Sequence, residues 1–253
     1  MVSRSLMNLW ERRGRTFGER SNLVHRADVI RGVMEESLHF LQGISGVVLD
    51  VGCGDGIPTV SLVKYHQVIG VDFTSTMLLR AKSNLPSADL LRGSINHLPL
   101  RSGSMPAVTC FFVLSDYYNP INIVSELGRV LQPQGRIILA DYSSNDDFNN
   151  LLDDLQIRIL GKDRGMFRLN PEAMRMLAEK SGLKVDAFKE LHYRLTLSLD
   201  TFINQLYFSS VGPQYRERRL SDNEWRMFLG GWLKESELQL MRRFVLVLAE
   251  KAS

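Results

Sequence analysis

Cysteine is scarce in this chain, with 2 in 253 residues. So few can build neither the disulfide framework of a small secreted scaffold nor a cysteine-rich metal site. Cys53 and Cys110 read instead as small packing residues in a reducing compartment. No spacing of His, Cys, Asp or Glu matches a metal-ligand pattern, so no metal is expected. Long apolar runs are missing too: nothing reaches the roughly 18 consecutive apolar residues of a membrane-spanning helix. The first 31 residues are arginine-rich, but Glu11, Glu19 and Asp28 interrupt them and they lack the apolar core of a secretory signal. A cytoplasmic location is therefore the expectation. Charge of one sign does not dominate, since 31 Lys and Arg against 28 Asp and Glu leave a net +3, which leaves nucleic acid an unfavoured partner. No internal repeat, low-complexity tract or Pro/Gly/Ser-rich linker divides the chain, and a single elaborated α/β domain over 1–253 is expected.

What is present is strongest at Val47-Val48-Leu49-Asp50-Val51-Gly52-Cys53-Gly54-Asp55-Gly56. A short branched run bounded by glycines suits a parallel strand buried on both faces, and the glycines after it let backbone approach a ligand closely. A dinucleotide fingerprint needs a further glycine three residues after the second, but that position is Ile57. A second apolar run, Gln67 to Asp72, ends in a carboxylate that can accept hydrogen bonds from ribose hydroxyls. Thr74 is placed to cap the helical segment Ser75–Lys82, which would leave Asp72 free for that task.

The Asp-x-Gly-x-Gly-x-Gly pattern resembles the first motif of class I S-adenosylmethionine-dependent methyltransferases, in their small-molecule group similar to ubiquinone and menaquinone methyltransferases. The likeness continues in order. Leu90–Leu100 resembles the family's Gly-Asp-Ala-x-x-Leu-Pro-Phe segment, with Ser94 in place of the acid that commonly meets the adenine amine. Ser102–Leu114 resembles the Asp-x-x-Phe-Asp-x-Val strand, with Pro106 in place of an aspartate at a strand start, where proline is tolerated. Arg129–Asp141 resembles the Arg-Val-Leu-Lys-Pro-Gly-Gly segment before strand five. Ile123–Leu131 has helical spacing, Pro133 is expected to end that helix, and Gln134 stands where the family often has glycine.

The resemblance implies a Rossmann-like, doubly wound seven-stranded sheet, mostly parallel with an antiparallel edge strand. N-terminal helices and a helical insertion before the last strand would complete it. Residues 1–45 would form an N-terminal lid or an ordinary packed terminus, 46–142 the cofactor core, and 143–253 the remainder, with the insertion at about 200–241. S-adenosylmethionine is the implied cofactor, with contacts expected at Asp50, Gly52, Cys53, Gly54, Asp72, Phe73, Met77, Ser94, Ile95, Phe112 and Leu114. The turn Leu114–Pro120 would face the methyl end.

In-line attack on an already activated methyl makes a strong protein base optional. Asp116, Tyr117 and His192 are the catalytic candidates, whereas His97 reads as a loop residue. The expected acceptor is a small or lipophilic metabolite; the alternatives are RNA or protein methylation, or an inactive cofactor-binding scaffold. Asn170-Pro171-Glu172 opens a helix with a cap and a first-turn proline. Lys184–Leu191 and Phe244–Ala249 read as the last strands. Phe202, Ile203, Leu206, Tyr207 and Phe208 suggest one inserted helix. Arg216–Arg219 reads as a solvated charged face, and Trp225, Phe228 and Trp232 as packing residues rather than stacking platforms.

Overall fold

The computed structural model describes residues 8, 10–11, 27–162, 168–208 and 212–252. Most of the segment expected to act as a lid therefore lies outside the described residues. Strands β1 (Val47–Val51), β2 (Gln67–Asp72), β3 (Asp89–Arg92), β4 (Met105–Phe111) and β5 (Leu131–Tyr142) run parallel, and β6 (Leu183–Ser198), β7 (Leu233–Lys234) and β8 (Glu237–Lys251) complete one sheet. Its order is β3-β2-β1-β4-β5-β8-β6, with β7 on β8. The antiparallel end arises because β8 pairs antiparallel with both β5 and β6. The two-residue β7 is an eighth strand that the sequence pattern did not announce.

Both faces of the central parallel strands β1, β4 and β5 are covered, as their near-continuous apolar runs require. Leu49, Val51, Val108, Cys110, Ile137 and Leu139 pack on one side against Ile123, Val124, Leu127 and Val130 of α3 (Ile121–Val130) and against Met174 and Ala178 of α5 (Pro171–Lys180). On the other side Val48, Ala107, Ile138 and Leu246 meet Val29, Ile30, Val33 and Met34 of α1 (Ala27–Leu38). Each of the Val, Leu, Ile and Met side chains among these contributes about 1.5–3 kcal/mol by leaving water. Helix α2 (Ser75–Asn84) follows β2 and seats Met77 and Ala81 in the interior.

Local details correct the sequence pattern at several points. The helix before β5 ends at Val130, and Pro133 lies inside β5 rather than closing the helix. Pro106 is the second residue of β4, where pairing with β5 shifts register between Met105 and Ala107. A bulge needs no ladder donor there, so the proline costs no strand hydrogen bond. Asn170 does cap α5, its Oδ1 accepting from the Ala173 N–H at 2.8 Å.

Strands β6 and β8 are much longer than expected. Tyr142, the last residue of β5, pairs with Phe244, yet β6 and β8 remain paired from His192↔Arg243 to Ser198↔Glu237. Because β6 runs parallel to β1–β5, this two-stranded arm extends about 20 Å beyond their carboxyl ends. It carries a second hydrophobic core. Leu195, Leu197, Leu238 and Leu240 of the arm meet Phe148, Leu151 and Leu155 of α4 (Asp147–Leu160), Phe202 and Leu206 of α6 (Leu199–Phe208), Tyr215 of α7 (Gly212–Arg218) and Trp225 of α8 (Asp222–Leu229). The expected helical insertion at about 200–241 consists of three helices on a β ribbon, joined by α4. Trp225 is fully buried, with Phe228 and Trp232 packed against the same core, so these aromatic rings are structural.

Candidate active site

The sheet's carboxyl edge is built from the turn after β1, the end of β2 and the residues after β4 and β5. Gly52 has φ +76°, and a Cβ there would lie 2.3 Å from Val113 Cγ2, so only glycine lets the turn close under the β4 loop. Gly54 differs: its φ is +55° and a Cβ would meet nothing nearer than 4.0 Å. Among the described residues nothing covers the middle of the turn.

Four aspartates lie buried around this turn. Asp50, at the end of β1, accepts hydrogen bonds from the hydroxyls of Thr59 and of Thr109, the latter at 2.8 Å. Its side chain therefore props the turn from beneath. Burial pushes its pKa up to about 6, partly opposed by the two threonines and reinforced by the charge of Asp72. Thr59 and Thr109 were not singled out in the sequence. A threonine inside the apolar run of β4 was the available signal.

Asp72 ends β2 and is held by backbone: Oδ1 accepts from Thr74 N–H at 2.7 Å and Oδ2 from Gly54 N–H at 3.1 Å. A carboxylate has about four lone-pair sites, so each oxygen retains capacity toward the open side of Gly54. Burial raises its pKa, the donors from Thr74 and Gly54 oppose the rise, and the charge of Glu11 adds to it.

The expected cap at Thr74 is corrected here. Thr74 makes no side-chain cap bond; Glu11 supplies it from 64 residues upstream, accepting from Ser75 N–H at 2.9 Å and from Thr76 N–H at 3.3 Å. Arg92 lies 3.6 Å from the same carboxylate. A charged acceptor serves the helix dipole better than a hydroxyl does, and no local pattern around Thr74 points to a partner so distant.

Beyond β4, Phe112 adopts φ +59°, a conformation costing a bulky residue about 1–3 kcal/mol. Its ring is clamped by Tyr142 at 5.2 Å and Phe244 at 5.7 Å, and its N–H donates to Ala140 O at 2.8 Å. Leu114 is buried and starts a 3-10 turn through Asp116. Asp141, at the end of β5, accepts from Ser115 N–H at 2.9 Å and Tyr142 N–H at 2.7 Å, and burial raises its pKa. Leu114, Ser115, Asp141, Tyr142, Leu169 and Met174 line a narrow cleft. Asp141 was visible only as the end of a motif, not as a site group.

The remaining candidates divide. Cys53 is buried and its Sγ packs against Gly70, and Met77 and Ile95 are buried as well. Burial raises the Cys53 thiol pKa, which keeps it protonated. Ser94 is half-buried, with Oγ accepting from Asn96 N–H at 3.3 Å, and Phe73 O accepts from Arg92 Nε at 3.1 Å. Asp116 and Tyr117 follow β4 directly. His192 does not join them: it lies on β6, two strands from Asp141, mostly exposed and 2.8 Å from Glu190 Oε2. Among the described residues no group of three or more His, Cys, Asp or Glu could hold a metal ion, and no helix is long and apolar enough to cross a membrane.

Residues 49–139 match the family described as "Methyltransferase domain". A demethylmenaquinone methyltransferase of Renibacterium salmoninarum is 30% identical over 135 residues, covering 52% of this chain and 57% of that protein. The chain spans between about a third and just over half of the length of the curated relatives it matches. In fold it is similar to the YcgJ protein of Bacillus subtilis, at TM-score 0.64 and 20% identity, covering 88% of this chain and 99% of that one. It is also similar to the [4+2]-cyclase SpnF, at TM-score 0.60 and 16% identity, covering 87% and 80%. The latter is a reminder that a fold alone does not decide chemistry. Residues 49–139 are thus similar in sequence to a methyltransferase domain, and the whole architecture shares the fold of these solved structures.

Proposed function

We propose that this protein binds S-adenosylmethionine across the carboxyl ends of β1, β2 and β4 and transfers its methyl group to a small, lipophilic acceptor held beneath the helices of the β6–β8 arm. The observation that carries this reading is the pairing of Gly54, open toward the site, with Asp72, whose carboxylate is fixed by two backbone donors yet keeps lone pairs for ribose hydroxyls. Bound there, the cofactor supplies a methyl group already activated on a sulfonium.

The chain's own work is then positioning. Asp50, Asp72 and Asp141 put negative charge behind the edge, which favours a cationic ligand. The clamped Phe112 and the cleft at Asp141 direct the acceptor side, and the arm helices screen that side from water, which strengthens electrostatic interactions within it. The expected contacts at Phe73, Met77, Ser94, Ile95 and Leu114 remain part of the proposal. A general base is not required, and the position of His192 on the outer strand argues against giving it that role. Demethylmenaquinone methyltransferases among the relatives favour an oxygenated ring as acceptor. A cytoplasmic setting accords with the two buried free thiols. Arg216, within the basic run, already donates to Tyr207 O, so RNA methylation gains no support from it.

The test is calorimetric titration with S-adenosylmethionine and S-adenosylhomocysteine beside a nicotinamide dinucleotide, using wild type and Asp72→Ala. Saturable binding of the two sulfur ligands alone is expected, weakened in the variant by about 1.5–3 kcal/mol, the scale of hydrogen bonds to a charged group. No binding by folded wild-type protein would overturn the reading, and equal affinity in a folded variant would remove Asp72 from it.

A further inference from the structure

Helix α4 turns two faces inward. Phe148, Leu151, Leu155 and Ile159 meet the core of the arm, while Asn149, Asp153 and Gln156, spaced i, i+4 and i+7, form a second stripe about a third of a turn away. That stripe is polar, yet Asn149 and Gln156 are only 5% and 7% exposed. Asp153 pairs there with Arg168, whose side chain is 9% exposed. Three atoms of this group, Asn149 Nδ2, Gln156 Oε1 and Arg168 Nη1, are buried with no hydrogen-bond partner among the described residues. Buried polar atoms are normally paired, so three orphans on one patch need a cause.

Backbone contacts tie this patch to the cleft at Asp141. Leu169, next to Arg168, lines that cleft; it forms a parallel bridge with Ser143, and its carbonyl accepts from Ser144 N–H at 3.3 Å. From Ser143 the chain turns into α4: Asp146 N–H donates to Ser143 O at 3.1 Å, and Asp146 Oδ2 accepts from Asn149 N–H at 3.0 Å. Asn149 and Arg168 are therefore held by one hydrogen-bonded seam that begins at the cleft. Asn149 also lies one helical turn, about 5–6 Å between Cβ atoms, from the Asp153 that Arg168 grips. Burial works against the guanidinium of Arg168 and the carboxylates of Asp146 and Asp141 favour it; an arginine keeps its proton in such a site.

Arg168 Nη1 and Asn149 Nδ2 are both donors, and one of them is charged, so an oxygen bearing negative charge completes them best. Asp153 fixes the plane of the guanidinium through Nη2 and leaves Nη1 for a ligand. We propose that Arg168 and Asn149 form the polar anchor of the acceptor subsite, which takes an anionic oxygen, a carboxylate or an ionised phenol, on an otherwise apolar molecule. This rests on the reading of the site as that of a methyltransferase, and it narrows the small lipophilic acceptor to an acidic one. Arg168 is then a specificity-determining residue with no part in proton transfer.

Benzoate and benzyl alcohol share a ring and differ in the charge on oxygen. Each is titrated, with protein-observed NMR as the readout, into protein saturated with S-adenosylhomocysteine. Benzoate should bind about tenfold more tightly than the alcohol and shift the side-chain amide signal of Asn149. Arg168→Lys keeps a cation for Asp153 but loses the second guanidinium nitrogen. In that variant benzoate should weaken about tenfold, the loss of one charge-assisted hydrogen bond, while affinity for S-adenosylhomocysteine is unchanged. Equal binding of the two probes, no binding of benzoate, or unchanged benzoate affinity in folded Arg168→Lys would overturn the inference while leaving the cofactor assignment standing. Failure of that assignment would appear separately, as wild-type protein that does not bind S-adenosylhomocysteine.

Discussion

The carboxyl edge of β1–β5 and the helical arm beyond it both bury polar groups, but by different means. At the edge, each carboxylate joins a local backbone donor to one from another strand end: Asp72 accepts from Thr74 and from Gly54, 18 residues away, and Asp141 from Tyr142 and from Ser115, 26 residues away. At the base of the arm, Asp146 caps α4 through Asn149 N–H at 3.0 Å and also accepts from Arg242 Nε at 2.9 Å, across 96 residues. The guanidinium of Arg242 lies 4.8 Å from the Phe148 ring centroid and 5.3 Å from those of Tyr142 and Phe244. Arg243 pairs with Asp147 beside it. The edge is thus stitched by backbone donors that tie each strand end to its neighbour. The arm is fastened by one buried ion pair joining two hydrophobic cores. Within the arm, Asn149 Nδ2, Gln156 Oε1 and Trp225 Nε1 are buried with no hydrogen-bond partner among the described residues, so its interior polar groups are less fully satisfied than those of the edge.

The largest expected effect breaks this fastening. Arg242→Met preserves volume but leaves Asp146 without its cation in a site closed to water, at a cost of about 3–5 kcal/mol. Urea unfolding measures the loss, and hydrogen exchange locates it: α6–α8 should lose protection while β1, β2 and β4 keep theirs. A loss below about 1 kcal/mol, or loss spread evenly over both regions, would mean the arm is held by its apolar contacts alone.

The next effect belongs to the edge and is read by pH. The carboxyl of Asp50 lies near 3.8 in an unfolded chain and is raised to about 6 in the fold, first by burial. The folded protein therefore holds a proton that the unfolded chain releases. This penalty is absent below pH 4, grows as pH rises and levels off above 6, where it reaches about 3 kcal/mol. Asp50→Asn should flatten the fall in stability between pH 4.5 and 7, measured by urea unfolding at both values. Asp55, Asp72 and Asp141 are shifted in the same direction, so a smaller slope is expected rather than none. An unchanged slope would show that Asp50 stays ionised across the range.

This contrast also explains what could be read in the residues alone. Strands β1, β2 and β4 announce themselves because they are buried over most of their length and end in turns rich in glycine or acid, as at Gly52 and Asp72, whereas β3 is largely exposed. The capping of α2 by Glu11 could not be read this way, since Thr74 offered a satisfactory local alternative and nothing in the sequence links two positions so far apart. The same holds for Arg242 and Asp146. The helical insertion was legible from the period of Phe202, Ile203 and Leu206, but its β ribbon was not, because alternation along Tyr193–Leu197 and Leu238–Phe244 is visible only once those strands are known to continue past the core. Pro133 misled for another reason: it ends helices often enough that its place inside an exposed strand start was overlooked.

The smallest effect lies outside both regions and tests whether strain follows function. Phe112 and Gln134 both have positive φ, +59° and +62°. Phe112 sits at the candidate site with its ring held by Tyr142 and Phe244, so the cluster offsets the strain. Gln134 is exposed at the amino end of β5, far from the carboxyl edge. An L-residue costs about 1–2 kcal/mol there relative to glycine, and part of that is returned because glycine loses more backbone entropy on folding. Gln134→Gly should therefore stabilise the protein by about 0.5–1 kcal/mol, read as a rise of about 1–4 °C in melting temperature, with ligand affinity unchanged. A fall would mean that the side chain of Gln134 contributes more than its backbone conformation costs. A rise accompanied by weaker ligand binding would mean that the start of β5 communicates with Asp141 at its other end, and strain outside the site would then have a functional reading as well.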